Sequence, residues 1–142
     1  MKTLRAMVMG LALLLVCGAS QAASLTDHTN LTKDEVMNTY LNAVVHGKLM
    51  GIDDAIADDA EFDMKRGGNV TILHKSQIMN ALKSGANIEQ DCQCTKSILQ
   101  DMDGVNIVKV DMKYADFTRT DVITAQNTGG EWKITKVETS FK

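Results

Sequence analysis

From Tyr40 to Met64 the chain reads YLNAVVHGKLMGIDDAIADDAEFDM, and three elements follow one another inside it. The first is the end of a helix, stopped at Gly47, the residue type that most readily takes the left-handed conformation of a helix C-terminus. The second is a shorter helix with Leu49, Ile52 and Ile56 on its inner face. The third is a strand entered through Ala57-Asp58-Asp59-Ala60 and running from Ala60 to Arg66. Alternation sends Phe62 and Met64 to one face and Glu61, Asp63 and Lys65 to the other.

Upstream, Thr32-Lys33-Asp34-Glu35 has the form of a capping box and predicts a helix start at Thr32. Val36, Met37, Tyr40, Leu41, Val44 and Val45 then recur at three and four, a single apolar stripe. Downstream, Gly67-Gly68-Asn69 turns the chain into a return strand from Val70 to His74. Ser76 is the expected cap of a third helix, with Ile78, Met79 and Leu82 inward and Gly85 at its end. The remainder reads as four strands: about Ile88 to Gln100, Val105 to Tyr114, Phe117 to Gln126 and Glu131 to Phe141. Asp103-Gly104 and Thr128-Gly129-Gly130 are hairpin turns. Val108, Val110, Met112 and Tyr114 share one face, as do Trp132 and Ile134.

The N-terminus reads as a secretion signal over residues 1–22. Lys2 and Arg5 precede an apolar run from Ala6 to Val16, and Ser20-Gln21-Ala22 supplies small residues for cleavage after Ala22. The run is too short for a stable membrane anchor. Cys17 follows Val16, where a lipoprotein signal has a small residue, so lipidation is not expected. Residues 23–142, about 120 in all, make one domain. Removing Lys2 and Arg5 from the 15 basic residues leaves 13 against 18 acidic ones, a net charge of −5. The remaining basic residues are scattered, which argues against a nucleic-acid partner.

The order α-α-β-β-α-β-β-β-β resembles the nuclear transport factor two-like superfamily, which includes ketosteroid isomerases, polyketide cyclases and the bacterial proteins called "putative lumazine-binding". The closing Gly130-Glu131-Trp132-Lys133-Ile134 is similar to the Gly-x-Trp-x-Ile ending common in these proteins. The signal, Tyr40 and this ending lean toward the last branch. The resemblance implies an α+β fold, a cone-shaped, curved antiparallel or mixed sheet wrapped around the N-terminal helix. It also implies a homodimer paired through the open sheet face, and a bacterial exported protein, periplasmic or secreted. In the isomerases a helix-one Tyr donates to the developing oxyanion, and Tyr40 matches it. The general base matches Met64, a thioether that accepts no proton at neutral pH, so catalysis of that type is not expected.

A built cone would bring Tyr40, Phe62, Met64, Met112, Tyr114 and Trp132 around one cavity. Aromatic and Met walls with a hydroxyl suit a small, flat, apolar or heteroaromatic ligand. The leading expectation is an exported binding or accessory protein without a cofactor. The alternatives are an isomerase, cyclase or dehydratase using Tyr40 and His74, and a dimeric interaction module whose cone is filled.

The other polar candidates are single features. His74 closes a strand and could act as acid or base at a cavity mouth. His46 suits a helix C-terminus, and His28 precedes the first helix. Cys92 and Cys94 share a strand face with Cα atoms about 6.6 Å apart, near the upper limit for a disulfide. They are read as buried thiols, as redox or interchain cysteines, or as ligands of a soft ion such as copper helped by Met residues. A zinc site needs two further ligands that no spacing supplies, so no metal site is assigned. Asp53, Asp54, Asp58, Asp59, Glu61 and Asp63 read as a solvated acidic edge, and Asp101-Met102-Asp103-Gly104 as a hairpin rather than a calcium loop. Asn30 and Asn69 open Asn-x-Thr sequons.

Overall fold

A computed structural model describes residues 30–142. The expected signal segment, with Cys17, and His28 lie outside the described residues. The elements are α1 (Lys33–His46), α2 (Ile52–Ala55), β1 (Ile56–Arg66), β2 (Asn69–His74), α3 (Lys75–Ser84), β3 (Gln93–Met102), β4 (Val105–Lys113), β5 (Thr118–Thr128) and β6 (Glu131–Phe141). This is the expected α-α-β-β-α-β-β-β-β order.

The six strands form one curved, unclosed mixed sheet in the order β2-β1-β6-β5-β4-β3. Every pairing is antiparallel except β1 with β6, which run parallel. Register sets two rows across the concave face. Phe62, Val137, Ile123 and Val108 form one; Met64, Thr139, Asp121 and Val110 form the next. α1 lies over β5 and β6, and α3 lies over β1 and β2. Val36, Met37, Tyr40, Ala43 and Val45 bury one side of α1 against these rows, the stripe its spacing requires.

Both ends of α1 are set locally. Glu35 N–H donates to Thr32 Oγ1, while the Glu35 carboxylate accepts from Thr32 N–H at 2.8 Å, completing the capping box. Gly47 closes the helix at φ 64°. A Cβ there would stand 2.6 Å from the backbone nitrogens of Asn87 and Ile88 and 2.7 Å from Gly85 O. The segment after α3 is pressed onto this end, with Asn87 N–H donating to Gly47 O at 2.9 Å and Gln90 N–H to Val45 O at 2.7 Å.

Four boundaries differ from the sequence reading. β1 begins at Ile56, not Ala60, because Ile56 already pairs with Ile134 of β6. A register shift before Glu61 then throws Asp58 and Asp59 outward. That leaves α2 a single turn, with Ile56 outside it. α3 is preceded by His74, not Ser76, as its cap: His74 N–H donates to Gln77 Oε1 at 2.9 Å. β3 begins at Gln93, because residues 85–92 bend back onto the end of α1 instead of extending.

The acidic run is not merely solvated. Lys75 Nζ donates to Asp53 O at 2.8 Å, Ile56 O at 2.9 Å and Asp58 Oδ1 at 2.9 Å, tying the start of α3 to the α2–β1 junction. Burial works to lower the Lys75 ammonium pKa, but Asp58 and Asp53 outweigh it, and the pKa stands above the usual lysine value.

Gly47→Ala tests the α1 stop. Holding a non-glycine residue in the left-handed region costs about 1–3 kcal/mol, and here the added methyl also meets backbone that cannot swing aside. The thermal midpoint is expected to fall by at least about 4 °C. A calorimetric midpoint equal to the wild type would refute this account of the α1–loop junction.

Candidate functional site

Between α1, α3 and the concave face of β1, β5 and β6 lies a cavity of about 220 Å³. Its apolar wall comes from Ala43 and Val44 of α1, Phe62 and Met64 of β1, and Ile78, Ala81 and Leu82 of α3. Its polar side is formed by Tyr40, Arg119 and Thr139, with Gln90 contributing from the segment between α3 and β3. The hydrophobic spacing of α1 and α3 puts their small and branched residues here, and the curvature of the sheet keeps the opposite wall away from them.

Behind the polar side sits Asp121, fully buried. Its carboxylate accepts four hydrogen bonds. Tyr40 Oη donates to Oδ2 at 2.9 Å, Arg119 Nε to Oδ1 at 2.9 Å, Arg119 Nη2 to Oδ2 at 2.9 Å, and Thr139 Oγ1 to Oδ1 at 2.8 Å. A buried carboxylate demands such partners, since an uncompensated charge in low dielectric costs several kcal/mol. Burial raises the Tyr40 pKa well above its ordinary value, and the neighbouring Asp121 carboxylate adds to the shift. Burial acts to lower the Arg119 pKa, but Tyr40 and Asp121 carry it above the usual arginine value. The guanidinium is held charged against Asp121, and the Tyr40 proton is directed at the same side chain.

The hydrogen-bonding capacity left toward the cavity follows from the inventory. A guanidinium carries five N–H donors, and Asp121 uses two of those on Arg119. Gln90 Oε1 accepts from Tyr114 Oη at 3.3 Å, which leaves the Gln90 amide N–H groups available. Donor capacity is therefore open on Arg119 and Gln90, and among the described residues one buried acceptor, Asp63 Oδ1, also has no partner. Asp63 contributes to the lining, but its carboxylate Oδ2 lies 3.3 Å from Lys136 Nζ, on the sheet face shared with Glu61 and Glu138.

Of the six residues expected around one cavity, the structure brings three together there: Tyr40, Phe62 and Met64. Met112 is fully buried within the hydrophobic core. Tyr114 stacks on Phe117 with ring centroids 4.5 Å apart. Trp132, at the start of β6, donates its backbone N–H to Leu31 O at 3.3 Å and lines a separate concavity with Lys33 and Asp101. These three share the inward strand phase, but β4 and the ends of β4 and β6 lie beyond the reach of the cavity. His74 is exposed and borders a different groove, alongside Lys75 and Met79.

Arg119, Asp121 and Thr139 are absent from the sequence reading. The signal for the first two was there. Arg119 and Asp121 stand in phase with Ile123 and Ala125, and charged residues on the apolar phase of a core strand mark a buried pair.

Residues 29–139 match the family described as "Putative lumazine-binding". The chain belongs to this family. Its fold is similar to that of an NTF-2 like protein of unknown function from Silicibacter pomeroyi DSS-3, with a TM-score of 0.63 at 16% identity over 75% of this chain and 90% of that one. An NTF2-like protein of unknown function from Shewanella baltica OS155 superposes with a TM-score of 0.60 at 15% identity, over 77% of this chain and 90% of that one. An NTF2-like protein from Cytophaga hutchinsonii ATCC 33406 gives 0.60 at 15% identity, over 78% and 98%. At these identities the likeness is one of fold. No curated protein matches the sequence.

The chain has two tyrosines, Tyr40 and Tyr114, and folding raises the pKa of both. Burial is the leading cause for Tyr114, with Cys92 next. A raised folded pKa means the native state holds its proton more tightly. The resulting stability is complete below pH 10 and is lost as pH climbs from 10 through the folded values. At pH 10 the unfolded chain is expected to be about half ionised at both rings, while in the native chain Tyr40 stays phenolic and Tyr114 is less than half ionised. Absorbance titration at 295 nm checks this, and a native phenolate midpoint at 10 would contradict the buried Tyr40–Asp121 bond.

Proposed function

We propose that this protein binds a small molecule of one or two rings in the α1–α3 cavity, and does so without transforming it. The observation that carries the reading is the composition of that cavity, an apolar wall opposed by donors of Arg119 and Gln90 that no described residue engages. Donors set opposite an apolar wall select a flat ligand whose edge presents acceptors, such as ring carbonyls. The family description names lumazine, a two-ring heterocycle with carbonyl oxygens, and that chemistry is of the same kind. A volume of about 220 Å³ lies below the range of drug-sized sites, about 300–1,000 Å³. It suits a bicyclic skeleton better than a steroid. Met64 at the cavity wall and the hydrogen bond from Tyr40 to Asp121 favour binding over isomerase chemistry.

Ala81 lies on the exposed side of α3 yet lines the cavity, so it marks the mouth. Ala81→Phe is expected to cover the opening with little effect on the fold. Methyl NMR with two-ring carbonyl heterocycles should show saturable shifts at Ala43 and Val44 in the wild type. Affinity in Ala81→Phe should fall at least about tenfold, a difference of about 1.4 kcal/mol. Shifts that spare Ala43 and Val44, or that persist unchanged in Ala81→Phe, would overturn the reading. Trp132 fluorescence is a poor reporter, since that ring lies away from the cavity.

The same proposal includes export with cleavage after Ala22 and pairing of two chains through the convex sheet face, where Ile107 and Val122 lie half-buried among polar neighbours. Native mass spectrometry of protein recovered from the producing cells should give twice the mass of a chain beginning at Ala23. An uncleaved chain or a monomer would count against the corresponding half of this statement.

A further inference from the structure

The cavity leaves one chemically distinctive group unused. Cys92 and Cys94 sit at the entry to β3, reduced, with their sulfurs 3.8 Å apart. Cys94 is exposed and Cys92 half-buried, so the pair is open to solvent on one side and rests on the core on the other. Directly across the β3–β4 ladder, Cys94 pairs with Met112, and paired residues share a face. A methionine thus stands opposite the exposed thiol on the same face of the β3–β4 hairpin, next to a pair of thiols already in contact.

We propose that Cys92, Cys94 and Met112 form a binding site for a monovalent copper ion. Two sulfurs 3.8 Å apart, each about 2.3 Å from one ion, subtend an angle of about 110°. That is an ordinary coordination angle, so both thiolates reach a common ion without backbone movement. Closing a disulfide instead requires the sulfurs to approach to about 2.05 Å across residues two apart in extended chain. Thiolate together with thioether is the soft donor set that selects Cu(I) over harder cations. The register of Met112 opposite Cys94 is what distinguishes this place from an ordinary contact between two thiols.

Each thiol gives up its proton as its sulfur bonds the ion. One Cu(I) bound by two cysteines therefore releases two protons, with no change of oxidation state, and affinity rises with pH.

The test uses the full chain, reduced and kept anaerobic, titrated with Cu(I) against a chromophoric chelator of known affinity. The wild type and Cys17→Ser are expected to withdraw one equivalent of copper. They should show ultraviolet sulfur-to-copper absorption and release two protons per ion. Cys92→Ser and Cys94→Ser should each lose this equivalent. Met112→Leu conserves core volume and should keep the fold by circular dichroism while weakening the affinity about tenfold, the lower end of what a supporting ligand contributes. Failure of the folded wild type to compete for copper would overturn the proposal, as would equal copper binding by the Cys92→Ser/Cys94→Ser double variant. Unchanged affinity in Met112→Leu would remove the thioether from the site and with it the three-sulfur argument.

Discussion

The carboxylate of Asp121 is the point to which the architecture is tied. It is fully buried, and a buried ion is tolerated only where donors replace water. The four that do so come from α1, β5 and β6: Tyr40, Arg119 twice, and Thr139. These groups are distant in sequence, so the hydrogen bonds fix where the helix rests on the sheet. They also fix the rotation of α1, since Tyr40 reaches Asp121 from one angular position only. Once α1 is set, Ala43 and Val44 face the cavity and Val36 and Met37 enter the core. Breaking one side of the network leaves the other charge without a partner, which typically costs about 3–5 kcal/mol. The polar wall of the cavity is therefore also a fastening of the fold.

The order of elements and the caps of α1 were legible in the sequence because each has a local cause. Thr32 and Glu35 satisfy each other, Gly47 takes a conformation other residues resist, and alternation in β4 reports one buried face. What escaped was decided by tertiary contact. Ile56 fits a helix face by spacing, yet its pairing with Ile134 draws it into β1. Residues 88–92 contain no glycine or proline to mark a break before β3, yet the backbone bond from Gln90 to the end of α1 holds them out of the sheet. The cavity was half legible. Phase placed Tyr40, Phe62 and Met64 inward, but phase alone does not say how far along the sheet a cavity extends. Trp132 and Tyr114 face inward at its ends and miss it. Arg119 and Asp121 were readable as a violation, two opposite charges on the apolar phase of one strand.

The two edges of the sheet show different solutions to the exposure of unpaired backbone. β3 presents Ile98, Leu99 and Met102 to solvent, each more than half exposed. A register shift between Ile98 and Gln100 bends that edge, and bulges of this kind discourage pairing with another chain. β2 is short and sits at the opposite edge with Val70 and Ile72 exposed. The α3 helix that follows it covers the concave side only.

The single parallel pairing has a kinetic meaning. β3 to β6 form a meander of neighbouring hairpins, and each of their contacts closes a short loop. β1 and β2 form another hairpin, joined to the first only through β6. That seam aligns Phe62 with Val137, 75 positions apart. Closing so long a loop is entropically costly until much of the structure exists to reward it. Topology therefore predicts that the two blocks consolidate first and that the seam between them closes late. Until β6 arrives, β1 has one bare edge, and the wall carrying Phe62 and Met64 has nothing to face.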